Sequence, residues 1–158
     1  MHHSSDKLSI RLATAADVTQ LSKLLSILFA QEADFAPDTE RQTRGLRLII
    51  EQPTVGRIYC ASESRKIVGM ASLLFTVSTA EGGWAAWLED MVVSPDWRGQ
   101  GVGKRLLSAA IAGAREAGCS RITLLTDADN HSAMRFYQRA GFVRSQMIPF
   151  RLSLRAGD

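Results

Sequence analysis

"DWRGQGVGKRLL", residues 96–107, sets three glycines and three basic side chains where an apolar helical pattern begins. Glycine in a helix costs about 1 kcal/mol relative to alanine, yet Gly101 and Gly103 both fall in the first turn. The charges oppose the helix dipole as well. A helix N-terminus favours acidic side chains, but Arg98, Lys104 and Arg105 flank this one and no acid follows until Glu116. Bare backbone, a helix N-terminus and clustered cations fit together if an anion docks there, and phosphate is the expected guest.

Two familiar phosphate loops are excluded by counting. A P-loop needs Gly five positions before its Gly-Lys pair and Ser or Thr after it; Gly103-Lys104 has Arg98 and Arg105 there. A dinucleotide fingerprint needs G-x-G-x-x-G and an acid about 20 residues on. Here the glycines stand at Gly99, Gly101 and Gly103, and residues 119–126 hold no acid.

The rest of the chain supplies the frame. Its 158 residues suit one domain with one sizeable core. A 46% hydrophobic and 22% charged composition is that of an ordinary soluble protein. Nineteen basic against sixteen acidic residues give +3, too small an excess to point to nucleic acid. No apolar run approaches the roughly 18 residues of a membrane span, and residues 1–9 lack the apolar stretch of a signal peptide, so no membrane and a cytoplasmic setting are expected. Cys60 and Cys119 read as buried thiols, and His131 has no ligand cluster around it, so no metal is expected.

Along the chain, residues 1–7 are expected to be disordered and 8–155 to form the domain. A strand over 8–12 and Thr14-Ala-Ala-Asp17 as helix-capping chemistry precede helices over 17–30 and up to residue 52. Strands follow over 56–63, 66–79 and 82–94, with Ser64-Arg65-Lys66 as a hairpin turn. The glycine loop then opens a helix to about Ala117. A strand over 120–126, a helix over 131–140 and one or two strands over 142–154 complete an α/β (α+β) domain with a mixed sheet. The crossover from strand 82–94 through the helix makes strand 120–126 its parallel neighbour.

In "NHSAMRFYQRAGF", residues 130–142, Ala133, Phe136 and Tyr137 share a helical face, and Asn130 stands at the helix entrance. With this second stretch the two motifs become specific. Arg98-x-x-Gly101-x-Gly103 resembles the acyl-CoA signature of the GNAT superfamily of N-acetyltransferases, and Asn130-x-x-Ala133-x-x-Phe136-Tyr137 resembles its downstream signature. The resemblance implies a mixed, mostly antiparallel sheet with helices on both faces and a splayed parallel strand pair holding acetyl-CoA. It implies that the backbone of Arg98, Gly99, Gln100, Gly101, Val102, Gly103 and Lys104 holds the pyrophosphate. Met91, Val92 and Val93 would pair with the pantetheine arm like an added strand, and Asn130, Ala133 and Phe136 would line the same channel.

The chemistry needs a neutral amine, a polarised carbonyl and a protonated leaving thiolate. Tyr137 is the expected acid. Glu89 and Asp90 are candidate bases; alternation sends them to opposite sheet faces, and Glu89 is preferred by resemblance to polyamine and amino-sugar acetyltransferases. The expected reaction is direct acetyl transfer to a primary amine of a small molecule, without an acetyl-enzyme. Glu32, Asp34, Asp38 and Glu40 suggest a cationic acceptor, and a homodimer is the expected assembly. A non-catalytic acyl-CoA-binding module and a protein or peptide N-acetyltransferase stay open as alternatives.

Overall fold

Apolar alternation through the middle of the chain becomes a sheet whose last rung is short. A computed structural model describes residues 7–32 and 34–155. The chain falls into two compact units, Met1–Leu125 and Thr126–Asp158. Apart from Lys7, the segment expected to be disordered lies outside the described residues.

The first unit runs β1 (Leu8–Leu12), α1 (Val18–Gln31), α2 (Thr39–Ile50), β2 (Gly56–Glu63), β3 (Lys66–Ser78), β4 (Gly83–Val93), α3 (Val102–Glu116) and β5 (Ile122–Leu124). Its strands lie in the order β1-β2-β3-β4-β5. The first four are antiparallel neighbours, and β4–β5 is parallel. The β2–β3 turn is tight, with Glu63 opposite Lys66 and Ser64 at φ 55°.

Strand alternation sorts the core into two layers. Ile58, Cys60, Met70 and Val92 meet Leu21, Leu24 and Leu25 of α1 and Leu46 of α2 on one face. On the other, Val102 and Leu106 of α3 meet β3 at Gly69. Helices therefore cover both faces, as the crossover requires. Cys60 is buried and its thiol is pushed up to about 11 by burial; Cys119 is only partly covered, contrary to expectation.

The entrance to α1 is fastened by charge. A short 3₁₀ turn, Ala15–Asp17, precedes the helix, and Asp17 receives both guanidinium nitrogens of Arg11 at 2.7 and 2.9 Å and the Thr14 amide at 2.8 Å. Such a bidentate pair fixes geometry as well as charge.

Two expectations need correction. The strand expected over 120–126 is only Ile122–Leu124, because its rungs end at Leu88 of β4. The second unit contains α4 (His131–Arg139) and, among the described residues, no strand over 142–154. Ile148, Phe150, Leu152 and Leu154 alternate as a strand would, but they are exposed. Alternation marks a segment able to pair; a strand also needs an edge to pair with.

Candidate active site

The opening beside β4 begins with one extra residue. Ala71 pairs with Met91, but Leu73 pairs with Leu88, so Glu89 and Asp90 together oppose Ser72. Two residues against one is a β-bulge, which bends its strand and interrupts the ladder. Parallel pairing with β5 covers Ala86, Trp87 and Leu88 and stops there. Beyond the bulge, Met91 to Val93 of β4 keep β3 on one edge, and among the described residues no strand pairs with the other. This is the splayed parallel pair, and the bulge stands at the point of separation.

The bulge overturns the expected division of the two carboxylates. Met70 pairs with Val92 on the α1/α2 face, while Leu73 pairs with Leu88 on the other. Counting back from Val92 and forward from Leu88 assigns both Asp90 and Glu89 to the α1/α2 face, opposite Ser72. Glu89 is exposed and Asp90 half-buried. Burial, and secondly the charge of Glu89, push the Asp90 carboxyl up to about 6. Strict alternation divided the two carboxyls because nothing in "LEDMV" announces an extra residue.

The glycine loop has the geometry of an anion cradle. Gly99 and Gly101 have φ of 71° and 80°, in the left-handed region that side-chain-bearing residues rarely adopt. Gly101 is the N-cap of α3, with no side-chain cap and no acid in the first turn. The first helical bond there runs from Arg105 N to Gly101 O at 3.1 Å, which leaves the Val102, Gly103 and Lys104 amides without intrahelical acceptors. These residues fit a pyrophosphate.

The three cations have different roles. Arg98 Nε donates to Val93 O at 3.0 Å, tying the loop to the end of β4. Arg105 donates to Leu8 O at 2.9 Å and so anchors β1. Lys104 stays exposed at the helix N-terminus, suited to screening an anion. Gln100 Nε2 donates to Asp96 O at 3.0 Å and holds the turn.

In the second unit, Asn130 Oδ1 accepts from Ala133 N at 3.1 Å and caps α4. Its expected place at the base of this helix therefore has a structural cause. Tyr137 makes edge-on ring contacts with Phe136 at 5.1 Å and Phe142 at 5.8 Å. Ala133, Phe136 and Tyr137 are half-buried.

The family model described as "Acetyltransferase (GNAT) family" matches residues 21–142. The chain belongs to this family. GNAT proteins take acetyl-CoA as co-substrate, and this one is an acetyl-CoA-dependent N-acetyltransferase. It is 30% identical over 136 residues to an aminoalkylphosphonate N-acetyltransferase of Salmonella typhimurium, covering 86% of this chain and 85% of the relative. It is 28% identical over 152 residues to an aminoglycoside N(6')-acetyltransferase type 1 of Stenotrophomonas maltophilia, covering 92% and 94%. An integron cassette protein from the mobile metagenome of Cole Harbour Salt Marsh matches with a TM-score of 0.80 at 29% identity, covering 92% of this chain and 90% of that one. Among the described residues, no helix of this GNAT protein is long and apolar enough to cross a membrane.

Proposed function

We propose that this GNAT enzyme acetylates the primary amine of a small polar molecule by direct attack in a ternary complex. The bulge at Glu89–Asp90 carries the reading, since it parts β4 from β5 and sets two carboxyl groups at the opening. The relatives named above act on aminoalkylphosphonates and aminoglycosides, both small molecules bearing amines.

Each group then has a task. The amides at the start of α3 hold the pyrophosphate, and the edge of β4 from Met91 to Val93 pairs with the pantetheine arm. Acetyl-CoA supplies the thioester. A lysine-like amine has a pKa near 10.4, so under about one in a thousand is neutral at pH 7, and a carboxylate at the bulge takes its proton. General base catalysis of this kind is typically worth about 10² to 10⁴. An amide near Val92 or Val93 polarises the carbonyl, and the Tyr137 hydroxyl protonates the departing thiolate.

The acidic connection has a smaller part in acceptor choice than its composition suggests. Asp38 caps α2 by accepting from Arg41 N at 3.0 Å, and Glu40 pairs with Arg44 at 3.1 Å. Glu32 and Asp34 belong to the same connection, and its acids together are proposed to favour a cationic acceptor.

Thiol release from acetyl-CoA over a panel of cationic, neutral and phosphonate-bearing amines tests the reading. Primary amines should be acetylated with intersecting bisubstrate kinetics; parallel lines would mean an acetyl-enzyme and overturn direct attack. Acetyl-CoA should also stabilise the fold, by about 2.7 kcal/mol at a hundredfold excess over its dissociation constant, and ATP should not. Tyr137→Phe should lower turnover with this thermal shift retained. Unchanged turnover where chemistry limits the rate would remove Tyr137 from the mechanism.

A further inference from the structure

Past the bulge, register decides which backbone groups of β4 face the open edge. Val93, Val92 and Met91 stand opposite Gly69, Met70 and Ala71 of β3, and Ser94 N continues the ladder by donating to Val68 O at 2.8 Å. Antiparallel ladders alternate hydrogen-bonded and non-bonded pairs. Ser94 with Val68 is a bonded pair, so Val92 with Met70 is the next, and the Val92 amide and carbonyl are engaged by β3. Those of Met91 and Val93 point the other way. One of these open-edge groups already has a partner within the chain: Val93 O accepts from Arg98 Nε at 3.0 Å.

That bond joins β4 to a part of the loop that packing leaves free. Trp97 is buried and seats the turn after β4, and Arg98 N donates to Pro95 O at 3.3 Å. Beyond Arg98 the packing thins out. A Cβ added at Gly99 or Gly101 would meet nothing within 4 Å apart from its chain neighbours. Glycines so placed have conformational freedom that a ligand must remove on binding, and a bond that removes it beforehand strengthens binding.

We propose that Arg98 is a positioning residue for acetyl-CoA, whose Nε straps the glycine cradle to the end of β4, and that its charge is incidental to holding the phosphates. This rests on the reading that the cradle takes the pyrophosphate and the β4 edge the pantetheine arm, and it names what joins those two half-sites. With Val93 O occupied, the edge offers a ligand Val93 N and the groups of Met91. The strap thus restricts the edge to a donor at Val93 as well as steadying the loop.

The proposal singles out one atom, which substitution can keep or remove. Glutamine carries Nε2 as many bonds from Cα as arginine carries Nε, so Arg98→Gln keeps the donor and drops the charge. Lysine has a methylene there, so Arg98→Lys keeps the charge and loses the donor. Calorimetry on the full chain should show acetyl-CoA weakened about tenfold in Arg98→Lys and Arg98→Ala, and about twofold at most in Arg98→Gln. The difference between Gln and Lys should persist from about 0.05 to 0.5 M salt, because geometry and not charge produces it. Kinetic losses should be larger in KM for acetyl-CoA than in kcat. Arg98→Lys binding as tightly as Arg98→Gln, or more tightly, overturns the strap. Amide hydrogen exchange followed by NMR tests the underlying site reading separately. In the wild type, Val93 N should exchange faster than Val92 N, and acetyl-CoA should protect Val93, Gly103 and Lys104. If it protects none of them, the site reading fails and the strap's role falls with it, whatever the order of the variants.

Discussion

Asp17 at the entrance to α1 and Asp90 in the β4 bulge are both sheltered from water, yet their carboxyls move in opposite directions. Asp17 is 6% exposed and is held down to about 2, chiefly by its hydrogen bonds from Arg11. Asp90 is instead pushed up to about 6 by burial and by the charge of Glu89. Burial penalises the charge in both places; the difference lies in what surrounds each carboxyl. An acid tied to a guanidinium is committed to structure. One left beside a like charge can take up and release a proton near neutral pH, which is what a base requires.

The sharpest way to break this comparison is to remove the charge at Asp17. Its carboxyl is lowered from 3.8 to about 2, so the stabilisation is fully present above about pH 4 and is lost as pH falls through 2. A shift of nearly two units corresponds to somewhat over 2 kcal/mol, less a discount for the solvent around Arg11, whose side chain is 42% exposed. Asp17→Asn should therefore lower stability at pH 7 by about 2 kcal/mol in urea unfolding, with kcat nearly unchanged. A loss under about 0.5 kcal/mol would mean that the Arg11 pair is only a surface contact.

Asp90 should behave in the opposite sense. Its raised carboxyl lets the folded state hold a proton that the unfolded chain releases, so this contribution favours folding below about pH 4 and is lost as pH rises through 6. The full shift of about two units would correspond to about 3 kcal/mol; half-burial reduces that to about 1–2 kcal/mol. Asp90→Asn should accordingly be more stable than wild type at pH 7.5 and equally stable at pH 4. Melting temperatures at the two pH values check this. An Asn variant less stable than wild type at pH 7.5 would show that the ionised carboxylate has a native partner and would erase the contrast with Asp17.

How much of this contrast could be read from sequence differs between the two places. Thr14-Ala-Ala-Asp17 advertised helix-entry chemistry, and the α1 entrance uses Asp17 that way. Its link to Arg11 depends on a strand ending beside a helix start, which residue types alone do not state. The glycine loop was legible because its glycines and missing acids violate helix preferences without a local excuse, and Gly99 and Gly101 do take positive φ. The bulge was not legible: strict alternation through "LEDMV" divided Glu89 from Asp90, and only cross-strand register reveals the extra residue. The tail misled in another way, since Ile148, Phe150, Leu152 and Leu154 carry a strand's pattern without a partner strand in their own unit.

The smallest effect expected sharpens the comparison with a third acid. Asp38, like Asp17, stands at a helix entrance and meets an arginine, but both partners are exposed, at 56% for Arg41 and 44% for Asp38. Solvent screens the 3.3 Å ion pair, and exposed pairs of this kind are worth about 0.2–1 kcal/mol or nothing measurable. What remains is the cap, the Asp38 Oδ1 bond from Arg41 N, for which loss to alanine typically costs about 1 kcal/mol. Asp38→Ala should therefore cost about 1 kcal/mol, half the Asp17 effect, and 0.5 M salt should alter that cost by only a few tenths. Because Asp38 is committed to α2, its removal should also leave the kcat/KM ratio of cationic to neutral amines within about twofold. If the ratio falls tenfold and the fall disappears in salt, Asp38 acts on the acceptor through its charge. The acidic connection would then be an acceptor rim as well as a helix cap.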